Sequence, residues 1–136
     1  MDTGAYDELY VYAIGRDREA FVLQHVVDAR AAQTATRDHT PIGLVFALIG
    51  LYLHVEHGLT GKQVQKVHMI LGRDKRDWPA LALPRDRGAM TATDVLAVPA
   101  GAQRDEAIDA WCASVWDAYR DSRQTIVELL QQYELT

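Results

Sequence analysis

The 136-residue sequence is poor in the features that announce a mechanism. Its one cysteine, Cys112, excludes an intrachain disulfide and has no fixed cationic neighbour in sequence to activate it as a nucleophile. No apolar run is long enough to cross a bilayer; the longest, Pro41 to Leu53, contains Gly43 and Gly50 and reads as a central buried helix. An excess of positive charge is also missing. The net charge is −5 and the pI about 5.4, so neither nucleic acid nor a membrane surface is expected as a partner. With no basic-then-apolar leader and a lone thiol, the expected location is a reducing cytoplasm. Glycine-rich phosphate loops, a nucleophile elbow, internal repeats and low-complexity tracts are absent as well. His54-Val55-Glu56-His57 shares letters with the metalloprotease sequence H-E-x-x-H, but its spacing is wrong and Glu56 points about 200° from His54.

What is present is ordinary globular composition, 49% apolar and 24% charged, at a length that supports one domain over residues 1–136 without covalent staples. The apolar pattern repeats near 3.6 throughout, which predicts an all-α fold, a compact bundle of about five to six helices. A first helix carries Tyr6, Leu9, Tyr10 and Ala13 and ends at Gly15; a second runs from about Arg18 to Gln33. Thr40 caps a third, with Pro41 in its first turn and Gly58 at its end, and Thr60 with Gln63 forms a capping box for a fourth, about Gly61 to Leu71.

Charges, Pro79 and Pro84 break the pattern between Arg73 and Gly88, where Trp78, Leu81 and Leu83 anchor a packed loop. Thr91 and Asp94 cap a short helix through about Val98. One long C-terminal helix is then predicted from about Gln103 to Tyr133. At about 45 Å it outreaches the bundle, so its far end is expected to pair with a second copy of the chain.

Histidine is the residue that asks for a reason. His25, His54 and His68 fall on inward faces of three different predicted helices, with Asp28 one turn from His25 and His57 beside His54. Gly43, Ala47, Gly50, His54 and His57 share an arc of about 80° on the third helix, a small-residue groove ending in two imidazoles. Imidazole and carboxylate projecting inward from several helices suit a divalent metal such as zinc, nickel or iron, and three protein ligands leave a position for an activated water. The metal reading therefore takes His25, Asp28, His54, His57 and His68 as its ligand candidates, with hydrolysis of a small substrate as the chemistry it would license.

Two other readings stay open. In a non-enzymatic interaction module the histidines are structural: His25 hydrogen bonds Asp28, His54 and His57 answer the exposed carbonyls of a helix end, and His39 sits idle in a loop. In a metal-free binder, a small-molecule ligand occupies the glycine groove. Arg73, Lys75, Arg76, Arg85 and Arg87 form a basic loop, with Trp78 available for stacking, able to meet phosphate or a nucleic-acid strand, but Asp74, Asp77 and Asp86 dilute it and favour a solvated loop. Trp111, Trp116 and Tyr119 fit a core or an interface.

Tyr6-Asp7-Glu8-Leu9-Tyr10, Leu23-Gln24-His25-Val26-Val27-Asp28-Ala29, Gly50-Leu51-Tyr52-Leu53-His54, Gln65-Lys66-Val67-His68-Met69, Trp78-Pro79 and Trp111-Cys112-Ala113-Ser114-Val115-Trp116 resemble an uncharacterised family of small bacterial helical proteins, a domain of unknown function. The resemblance spans nearly the whole chain and implies a single domain with no activity to carry over. Some members of the wider group begin with a Cys-x-x-Cys zinc motif, which this chain lacks. A looser structural similarity is to metal-binding bundles of the damage-inducible and thiol-transferase type. Their paired histidines come late in the chain, whereas none follows His68 here.

Overall fold

The computed structural model describes residues 3–16, 18, 20–38 and 40–135, and the described residues form helices and no strand. His39 lies outside them. In order the helices are α1 (Thr3–Ile14), α2 (Val22–Gln33), α3 (Pro41–His57), α4 (Gly61–Gly72), α5 (Ala92–Leu96), α6 (Ala102–Ala118) and α7 (Arg123–Gln132), with a short 3₁₀ turn, Arg120–Ser122, between the last two.

The central helix is α3, apolar all round and buried at Leu44, Val45 and continuously from Ala47 to Leu53, which only a helix enclosed by others can be. Helices α2, α4, α6 and α7 all pack on it. Its ends follow local chemistry: Thr40 Oγ1 accepts from Gly43 N at 3.4 Å, Pro41 fills the first turn, and Gly58 closes the helix at φ 68°. The capping box of α4 forms as its spacing predicts, with Gln63 N donating to Thr60 Oγ1 at 3.2 Å and Thr60 N to Gln63 Oε1 at 2.8 Å.

Helix α2 begins at Val22 rather than near Arg18. Phe21 is in the left-handed region at φ 43°, and the Ala20 carbonyl accepts from Gly61 N at 2.7 Å. A Cβ on Gly61 would lie 1.9 Å from the Phe21 carbonyl oxygen, so the start of α4 presses on backbone that a longer α2 would have coiled away. The C-terminal segment also departs from expectation. It breaks at Tyr119, whose hydroxyl donates to the Ala32 carbonyl at 2.6 Å, and α7 returns to bury Ile126, Leu129 and Leu130. The overhang on which pairing of two copies was expected is therefore not formed.

The Arg73–Gly88 loop is packed. Trp78 stands edge-on to Phe46 with centroids 5.1 Å apart, and Arg87 Nη1 donates to the carbonyls of Ala32, Gln33 and Ala35, satisfying the open end of α2.

Candidate functional site

At the crossing of α2 and α3, His25 and His54 stack face to face, ring centroids 3.5 Å apart and planes 15° from parallel. Asp28 lies one turn beyond His25 and packs over Gly50, one turn before His54. A Cβ at Gly50 would sit 1.8 Å from Asp28 Oδ2. The small-residue groove predicted on α3 thus admits α2, and at Gly50 it is filled by a carboxylate rather than left open for a ligand. Helix α6 supplies Asp109, whose Oδ1 is 2.8 Å from His54 Nε2, and Cys112, whose thiol points to the His25 carbonyl at 3.7 Å.

His54 Nδ1 faces the Leu59 carbonyl at 3.1 Å. Both ring nitrogens of His54 therefore face oxygen atoms, and the Asp109 side chain beside Nε2 is 64% exposed. Across the stack His25 is the opposite case. Its Nδ1 is buried without a hydrogen-bond partner, and burial, followed by the charge of His54, pushes its pKa down to about 3 while Asp109 pulls the other way. The ring is a neutral base at any ordinary pH.

Asp28 is the second orphan. Gln24 Nε2 donates to its Oδ1 at 3.0 Å, yet Oδ2 is buried without a partner, and burial raises the carboxyl well above the usual range despite the Gln24 contact. The hydrogen bond expected between His25 and Asp28 is not made.

The structure gathers His25, Asp28 and His54 and separates the other two candidates from them. His68 Nε2 donates to the Phe46 carbonyl at 2.8 Å, and burial lowers its pKa against the pull of that carbonyl. Phe46 precedes His54 by eight residues, about 12 Å of helix rise, so His68 faces inward at another level. His57 Nε2 meets the Tyr52 hydroxyl at 2.8 Å, and Glu56 turns away to Trp116 Nε1 and Arg123. Among the described residues no three or more His, Cys, Asp or Glu side chains are arranged to hold a metal ion. The convergence of His25, His54 and His68, helped by Asp28 or His57, that the sequence led us to expect is not formed among the described residues. Asp109 was missed because its position on α6 is half solvent-facing and nothing nearby in sequence marks it. Cys112 is fully buried and its thiol pKa is raised by that burial, which agrees with an inert role.

A compact helical chain with this polar crossing defines a class by architecture alone. The chain belongs to a family of unknown function (DUF5946), whose sequence profile matches residues 3–120. No curated protein and no solved structure matches it.

Proposed function

We propose that the protein binds one divalent transition-metal ion, of the zinc, nickel or iron kind, at the α2–α3 crossing. His25 and His54 are the nitrogen ligands and Asp109 is the carboxylate ligand, with Asp28 behind them. The observation that carries this reading is the stacked pair itself: two imidazoles from different helices 3.5 Å apart, one with a buried unpartnered nitrogen, beside a buried carboxylate with an unpartnered oxygen. Two donors bound to one zinc ion at about 2.1 Å and a tetrahedral angle are about 3.4 Å apart; the 3.5 Å here separates ring centroids, so the two rings are close neighbours that must turn out of parallel to share an ion. A neutral His25 offers its lone pair without competition from protons.

Ring lone pairs lie in the ring plane, and near-parallel rings do not aim at one point. Binding therefore requires the stack to open and the exposed Asp109 to exchange its hydrogen bond for a metal bond. Three protein ligands would leave a coordination position for water, and hydrolysis of a small substrate is the reaction such a centre supports.

Cobalt(II) titration of untagged protein tests the reading. The expected result is stoichiometric uptake with an intense visible band typical of low coordination, lost in His25→Ala and in His54→Ala and kept in His57→Ala. Absence of uptake by a folded wild type, or uptake that survives both substitutions, overturns it.

A further inference from the structure

A second site lies away from the histidines, where the loop before α5 closes over the C-terminal end of α2. A cavity of about 440 Å³ is lined there by Arg30, Arg85, Arg87, Asp86, Thr34 and Thr91 among others. On a chain of net charge −5, three guanidinium groups and one carboxylate around one concavity make a local positive field.

The cations are held in different ways. Arg87 is fixed by the α2 carbonyls and by Pro84 through Nε and Nη1, so its remaining nitrogen is presented rigidly. Arg30 is poised over the Tyr6 ring, 4.4 Å from its centroid. Arg85 is exposed, and neither it nor Arg87 forms an ion pair among the described residues. The lone carboxylate, Asp86, is exposed and accepts from Gly88 N at 2.9 Å through Oδ1. A guanidinium fixed by carbonyls, as that of Arg87 is, beside the exposed one of Arg85 matches the flat bidentate edge of a phosphate.

We infer that this cavity binds a small phosphate-bearing molecule, gripped by Arg85 and Arg87 with Arg30 at the rim. The hydroxyls of Thr34 and Thr91 are already donated, to the Arg30 carbonyl and to Asp94, so the guanidinium groups supply the recognition. A concavity of this size suits a small molecule, whereas a nucleic-acid strand needs an extended basic track that an acidic chain lacks.

Calorimetric titration with inorganic pyrophosphate tests the inference. Binding should be salt-sensitive and weaken by about tenfold or more in Arg85→Gln, whose exposed side chain carries no structural contact, while Lys66→Gln on the distant face of α4 leaves it unchanged. Melting temperature checks that each variant is folded. No heat at millimolar pyrophosphate, equal binding by Arg85→Gln, or tighter binding of a single-stranded oligonucleotide than of pyrophosphate would each overturn it. None of these outcomes bears on cobalt uptake at His25 and His54.

Discussion

His25 makes folding sensitive to acid in a window that its surroundings define. In the unfolded chain a histidine titrates near 6.5, and in the native state burial beside His54 pushes it to about 3. Between those values the unfolded state binds the extra proton, so the stability contributed by a neutral His25 is whole above pH 6.5 and drains as pH falls toward 3. Linkage puts the loss between pH 7 and pH 5 at about 2 kcal/mol, a large share of a small domain's stability. Asp28 works in the opposite sense. Its carboxyl is raised by burial, so it favours the native state as pH falls, and the total slope of the wild type is not diagnostic. The difference between wild type and His25→Phe is diagnostic, because Asp28 and the other titrating groups are common to both and the phenyl ring retains the stack on His54. Urea unfolding at pH 7 and pH 5 should show the gap between the two proteins shifting by about 2 kcal/mol in favour of the variant at the lower pH. A gap constant within about 0.5 kcal/mol would refute the buried neutral imidazole.

Four further outcomes follow from the same contacts. Gly50→Ala should cost about 1–3 kcal/mol by denaturant unfolding, because its Cβ meets Asp28 Oδ2, and most of that cost should vanish in an Asp28→Ala background. Gly61→Ala should cost at least as much with no such rescue, since the obstruction is the Phe21 backbone; equal rescue of both would show the clash assignments to be wrong. Asp28→Asn should remove the loss of stability that Asp28 imposes as pH rises from the ordinary carboxyl value of 3.8 toward its raised native one, read as a variant that gains on the wild type as pH rises above that ordinary value. Arg87→Met should lower stability by about 2–3 kcal/mol, as it strips charged donors from three carbonyls at the end of α2, and urea midpoints check it.

Helix ends were legible in the sequence wherever their cause was local. Thr40 with Pro41, Gly58, and Thr60 with Gln63 fix their helices through contacts spanning three or four residues, and each stands where the spacing puts it. The two boundaries that differ are tertiary. Nothing within a turn of Val22 signals that Gly61 presses on Phe21, and no glycine or proline marks the break at Tyr119, which the Ala32 carbonyl holds from a distant helix. Three of the four residues at the candidate site, His25, Asp28 and His54, were legible, and the placing of His68 with them was not, for a related reason. A helical projection reports the angle of a side chain about the axis, and by that measure His25, His54 and His68 all face inward. It says nothing of height along the axis, and height is what separates His68, at the level of Phe46, from His54.

The His25–His54 crossing holds two of the three buried side-chain nitrogen or oxygen atoms without a hydrogen-bond partner among the described residues, the third being Arg16 Nε. His57, His68, Trp111 and Trp116 each have a polar partner within ordinary hydrogen-bond distance, so a conventional structural role accounts for them completely. His25 and Asp28 do not. Each keeps a buried nitrogen or oxygen unpartnered, on consecutive turns of one helix, and an unmade buried hydrogen bond costs about 1–3 kcal/mol. Replacing both by apolar residues of similar shape should therefore stabilise the isolated protein. A His25→Phe, Asp28→Leu double variant that melts above the wild type while losing cobalt uptake would mean that stability is given up at this crossing for binding. A variant that melts well below the wild type would mean that the two polar groups hold the helices together, and the metal reading would lose its physical basis.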